Sequence, residues 1–288
     1  MTEALRALLA AGPDGTGFAV TAGVRLPLAV FSALLGAFAG LFLHRCIVLI
    51  PNEQPIFARG PVGDGKEQPW HTVWRLAVVE GLAVALFALV GWLLPPSIPA
   101  GADGEPVLRA LWQVPIAWLF VSGVLIGAFV DLEHLIVPDR ISIGGTLAGL
   151  LLSALVPEMQ SAAAWREGLF LSAIGALAGS VPLWLGDAAG SWWFRRRGRI
   201  GPGVHVMGLG DIKLVAAFGA FLGWRGAVFS IFGGVWLGVL VTLPLLALGR
   251  RRILDKIPFG PYLSAAALLW LFWGPRLATL FSAASHSR

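Results

Sequence analysis

Long apolar stretches follow one another along this chain, and short segments between them hold most of the charge. They fall at about residues 26–50, 76–94, 111–130, 141–156, 168–185, 214–224, 227–248 and 262–280. A hydrocarbon core of roughly 30 Å takes about 20 helical residues, so most of these stretches are long enough to cross it. The stretch at 214–224 is the short one. Of 288 residues, 57% are hydrophobic and only 13% charged, with a mean hydropathy of +0.79. Soluble domains carry roughly one quarter charged residues, which sets an ordinary soluble enzyme aside, and so apolar a chain is not a disordered one. A single cysteine, Cys46, excludes an intrachain disulfide and a four-cysteine zinc site. The expected fold is all-α: a polytopic integral membrane protein with about eight transmembrane helices.

Basic residues give the orientation. With an extracytoplasmic N-terminus, thirteen Lys and Arg fall in inner loops, among them Arg195–Arg197, Arg199 and Arg250–Arg252. Seven fall in outer segments, and Arg45 lies inside the first span. The positive-inside rule therefore puts both termini outside. The net charge of +5 follows from this distribution, and no aromatic or groove-reading element stands beside the basic clusters to suggest nucleic acid. Tryptophans near span ends, such as Trp74, Trp92, Trp192 and Trp224, read as interfacial anchors. The chain divides into an N-terminal extracytoplasmic segment (1–25), a first span with a short cytoplasmic loop (26–75), and a membrane core (76–288).

Carboxylates beside or within apolar spans are costly and are therefore functional candidates. They are Glu80, Asp131, Glu133, Asp139, Asp187 and Asp211. Asp131 ends the third span, and Pro138 marks where the chain leaves the helix. Asp211 stands at the start of the sixth span in Gly208-Leu209-Gly210-Asp211-Ile212-Lys213. Gly208 and Gly210 can take positive φ and admit a second backbone, and a helix N-terminus favours the Asp211 anion. Taken singly, Asp131 reads as an interfacial helix end and Asp211 as an N-cap. Together, at one membrane depth, they make a pair able to share a proton, one activating water while the other polarises a peptide carbonyl. Two other readings use the same residues: a metal hydrolase with Asp131, His134, His205 and Asp211 as ligands, and a proton-coupled transporter. Asp187 reads as a solvated helix end, and Glu80 as a partner for Arg75 or Lys213. Gly175 with Gly179, and the Gly233-Gly234 pair, have the spacing of close helix packing.

The Asp131…Pro138-Asp139 and Gly208-x-Gly210-Asp211-Ile212-Lys213-Leu214 motifs resemble the paired signature of the type IV prepilin peptidases, membrane aspartic proteases of the GxGD class. Pro258-Phe259-Gly260-Pro261-Tyr262-Leu263, Gly40-Leu41-Phe42-Leu43, and Arg75 with Glu80 are similar to flanking motifs of that family. The resemblance covers about residues 36 to 265. It implies Asp131 and Asp211 as catalytic residues, with Gly208, Gly210, Lys213, Pro138 and Glu80 shaping the site, and no metal. It implies a prepilin or pseudopilin precursor as partner, cut after a short basic leader at the cytoplasmic face. Such substrates serve pili, type II secretion or competence. Family members commonly carry two Cys-x-x-Cys pairs in the loop after the first span, which accompany N-methyltransferase activity. Here that loop, residues 51–75, has no cysteine. His44 and Leu49 also stand where the family usually has Asn and Arg. No cofactor is expected for the peptidase, and S-adenosylmethionine only if methyl transfer is retained.

Overall fold

A computed structural model describes residues 18–51, 69–94, 112–248 and 258–286. Seven α-helices and one 3-10 turn make up this part of the chain: α1 (Phe18–Leu49), α2 (Pro69–Leu93), α3 (Gln113–His134), α4 (Asp139–Leu155), the turn Pro157–Gln160, α5 (Trp165–Arg196), α6 (Leu209–Ala247) and α7 (Gly260–His286). Among the described residues no strand occurs. Five of these helices are long and apolar enough to cross a membrane by length and composition. Large apolar side chains such as Phe31, Phe38, Trp236 and Leu240 cover the outside of the bundle, a surface suited to lipid and not to water. The protein is an all-α polytopic membrane protein.

The sequence reads two spans here, 214–224 and 227–248, and α6 is accordingly two helical arms that meet at Gly223 (φ 72°, ψ 177°). The break is a reversal. A Cβ on Gly179 of α5 would lie 2.8 Å from Val215 and 3.2 Å from Ala227. Those residues would stand about 18 Å apart in a straight helix, so the chain must fold back between them. Positive φ is the reason a glycine sits at the turn. Ending the first arm there leaves carbonyls without helical partners, which is costly inside a membrane. Three side chains supply donors: Ser172 Oγ reaches the Ala220 carbonyl at 2.7 Å, and Ser153 Oγ reaches it at 3.4 Å. Gln160 Nε2 donates to the Ala220 and Phe221 carbonyls at 3.0 and 3.3 Å.

Glycines set the helix spacing. Gly175 of α5 meets the Gly219 backbone of α6 with no room for a side chain on either, and Gly233 and Gly234 face Ala266 and Leu263 of α7. Gly36 and Gly40 of α1 lie against the backbone of Ala83 and Glu80 in α2. One buried cluster joins α1, α2, α3 and α7 around Ile47, Val79, Val121 and Val130. A second joins α3, α6 and α7 around Phe120, Leu214, Phe218 and Leu263. Helix α5 runs to Arg196, well past the apolar stretch at 168–185, and its polar Asp187 and Ser191 are buried with hydrogen bonds to residues 205–207. The loop at 52–68 and the Arg250–Arg252 cluster lie outside the described residues.

Candidate active site

Asp131 occupies the last turn of α3, which ends at Leu135 in a left-handed conformation (φ 55°, ψ 34°). The Leu135 amide donates to the Asp131 carbonyl at 2.9 Å. Residues 135–138 then leave the helix as Pro138 requires, and α4 starts with Pro138 as its N-cap. Asp211 is in the first turn of α6, two residues inside the helix. Gly208, not Asp211, is the N-cap, and the Asp211 amide donates to the Gly208 carbonyl at 3.1 Å.

The helix faces show how these two carboxylates come together. Gly127 lies one turn before Asp131, and a Cβ there would stand 3.5 Å from the Leu214 side chain, while Leu214 lies one turn after Asp211. Moving one turn outward from that contact along each helix leads to Asp131 on α3 and Asp211 on α6. Asp131 is near enough for its charge to act on Asp211. Their surroundings differ. Asp131 is buried at 5% exposure, and its Oδ2 accepts the Gly260 amide at 2.8 Å, whereas Asp211 is half-buried. A Cβ on Gly260 would stand 2.7 Å from that same Oδ2, so only glycine lets the first turn of α7 close over the carboxylate.

The remaining residues expected to shape the site divide into near and far. A Cβ on Gly210 would stand 2.9 Å from that of Val137, so this glycine does admit the 135–138 segment against α6. Neither Gly208 nor Gly210 has positive φ, which corrects half of the reason expected for them: Gly208 is extended (φ −64°, ψ 121°) and Gly210 is helical. A Cβ at Gly208 would lie 3.1 Å from Asp211 Oδ2, so the carboxylate rests over this residue. Lys213 Nζ binds Asp139 Oδ1 at 2.7 Å and ties the start of α4 to the start of α6. Of the partners expected for Glu80, Arg75 binds Glu133 at 2.9 Å and Lys213 binds Asp139. The place of Glu80 is on α2 against Gly40, where it packs the first helix pair.

Asp187 is not a solvated helix end. It is buried, with His205 Nδ1 at 2.6 Å from its Oδ2. That contact takes His205 away from the ligand set considered for a metal, and His134 lies beside Glu133 at 3.9 Å. Among the described residues no group of three or more His, Cys, Asp or Glu is placed to hold a metal ion. Two features escaped the sequence reading, the Gly260 amide on Asp131 and the burial of Asp187. The Pro258–Leu263 motif hinted at the first, and Asp187 stood among the costly carboxylates but was read as a solvated helix end.

The model of the type IV leader peptidase family matches residues 118–243. This stretch is similar to a type IV leader peptidase domain. The matched stretch holds both aspartates, Pro138, Gly208, Gly210 and Lys213, while Gly260 reaches Asp131 from α7, outside the match. Similarity to known proteins extends further along the chain. A prepilin leader peptidase/N-methyltransferase of Aeromonas hydrophila is 27% identical over 281 residues, covering 85% of this chain and 89% of that protein. The protein of the same name from Burkholderia pseudomallei is 26% identical over 299 residues, covering 92% and 91%. That of Xanthomonas campestris pv. campestris is 32% identical over 178 residues, covering 58% and 55%. No solved structure matches the chain.

Proposed function

We propose that this protein is a membrane-embedded aspartic endopeptidase that removes the short basic leader from type IV prepilin-like precursors at the cytoplasmic face. Asp131 and Asp211 are its catalytic pair. The observation that carries the reading is their convergence: two carboxylates from different helices at one end of the bundle, one held and buried, the other half-exposed. Like charges that face each other favour a state with one shared proton. The ionised carboxylate takes a proton from water, whose oxygen attacks the scissile carbonyl carbon. The protonated carboxyl donates to the carbonyl oxygen, giving a neutral tetrahedral diol. Collapse of the diol breaks the C–N bond as the new amine takes a proton and the diol returns one to the pair. The relatives named prepilin leader peptidase/N-methyltransferase, together with the similarity to a leader peptidase domain, support the substrate class.

The peptidase alone is proposed. The relatives' names include a methyltransferase, but the loop at 51–75 has no cysteine and Cys46 is buried in α1. A transporter would put its carboxylates near the membrane midplane, whereas these stand at helix ends. The test is incubation of the purified protein with a prepilin, with and without EDTA. Leader removal that EDTA leaves unchanged is the expected result. Absence of cleavage, or its loss on chelation, would overturn the reading in favour of a transporter or a metal hydrolase. Mass spectrometry of the product is expected to show an unmodified new N-terminus, and a uniform added methyl group would contradict the peptidase-only reading.

A further inference from the structure

Asp187 is a buried carboxylate that the proposed chemistry does not use. It lies in α5 at 4% exposure, and Ser191, one turn later, is fully buried. Its Oδ1 accepts the Met207 amide at 2.9 Å and the Ser191 hydroxyl at 3.2 Å, and its Oδ2 holds His205 Nδ1 at 2.6 Å. Ser191 Oγ in turn accepts the Val206 amide at 3.1 Å. Three successive residues, His205, Val206 and Met207, are thus tied to two side chains on one face of α5. The tie holds an otherwise exposed segment: residues 201–206 are exposed, and Gly198 and Gly203 both have positive φ. The next residue is Gly208, the N-cap of α6, over which the Asp211 carboxylate rests. Val206 also lies against Gly190 on the same stretch of α5, so the segment before the cap is held by α5, and the Asp187–Ser191 pair supplies its hydrogen bonds.

We propose that Asp187 is a positioning residue for the peptidase reaction, acting through Met207 and His205 to fix Gly208 and therefore Asp211. The inference rests on the assignment of Asp211 as catalytic. A small misplacement of a reacting group costs up to about a hundredfold in rate while leaving distant substrate contacts in place. The effect therefore falls on kcat and leaves KM nearly unchanged.

The test is steady-state cleavage of a prepilin by the purified full-length protein in detergent. Asp187→Ala is expected to lower kcat by roughly tenfold to a hundredfold with KM within about twofold. Asp187→Asn keeps an acceptor for the Met207 amide and is expected to recover activity to within about threefold of wild type. His205 is 43% exposed, so its replacement leaves folding intact and serves if Asp187→Ala does not accumulate. His205→Leu removes the donor at Nδ1 and is expected to lower kcat, whereas His205→Asn restores a donor there and with it the rate. Wild-type kcat in both Asp187→Ala and His205→Leu would overturn the proposal, as would losses that the Asn replacements do not rescue. Asp211→Asn, run alongside, separates the two claims. Cleavage by Asp211→Asn defeats the catalytic assignment, whereas an inactive Asp211→Asn with a fully active Asp187→Ala defeats only the positioning role.

Discussion

The two ends of the first arm of α6, at Leu209 and at Gly223, both gather polar groups in an apolar bundle, and they do so in opposite ways. At Gly223 the groups are neutral and matched, with Gln160, Ser153 and Ser172 donating to the carbonyls that the helix break leaves open. At Leu209 they are charged, and the match is incomplete: Asp131 accepts one backbone amide and Asp211 rests half-buried over a glycine. Burying a polar group is tolerable when its bonds are made, so the first end has the economy of a structural joint. The second retains acceptor capacity facing a neighbouring carboxylate. That residual capacity, more than the presence of charge, marks a place for water and a peptide. Asp187 sharpens the distinction, since it is charged and buried yet fully occupied, and it is therefore assigned to positioning and not to chemistry.

Four substitutions test this contrast. The largest effect is expected from Gly175→Leu, which must displace the Gly219 carbonyl where α5 meets α6. Overpacking at a backbone contact costs about 3 kcal/mol, so the amount of protein in the membrane should fall sharply. A normal level would show that the two helices are not packed this closely. Gly260→Ala comes next. Its methyl would press on Asp131 Oδ2, and roughly a tenfold to hundredfold loss of cleavage is expected at unchanged protein level. Full activity would separate Gly260 from the site.

Gln160→Leu breaks the neutral joint. Losing the donor to two buried carbonyls should cost about 1 kcal/mol, read as a lower Tm in detergent, with cleavage rate per folded molecule unchanged. A loss of rate at unchanged Tm would erase the division between the two ends. The smallest effect belongs to Asp139→Asn. Its pair with Lys213 is solvent-accessible on both sides and contributes about 0.5 kcal/mol at most, so cleavage should stay close to wild type. A large loss would move Asp139 into the reacting group.

Much of the fold was legible because lipid imposes a simple demand, a run of apolar residues long enough to cross. The departures have local causes. The two arms of α6 meet with no intervening loop because Gly223 alone reverses the chain. α5 outruns its apolar stretch, and its Asp187 and Ser191 are satisfied by a segment that follows them in sequence, an arrangement with no periodicity to reveal it. That Asp131 and Asp211 stand at helix ends could be read from where the apolar runs stop, and the value of Gly210 from its neighbour Asp211. That Gly260 bonds Asp131 could not be read, since 129 residues separate them and the contact is made by a backbone amide. Glu80 shows the converse: a charge inside a span draws attention, yet its surroundings are those of helix packing.

The central claim is that Asp131 and Asp211 act as one unit. It is tested most directly by the initial rate of prepilin cleavage for wild type, Asp131→Asn, Asp211→Asn and the double variant, at matched amounts of folded protein. Asparagine keeps size and polarity but cannot exchange the shared proton. Each single variant is predicted to lose nearly all activity and the double variant to be little worse, because losses within one catalytic unit do not add. Robust processing by either single variant, or a double loss equal to the product of two partial ones, would contradict the account.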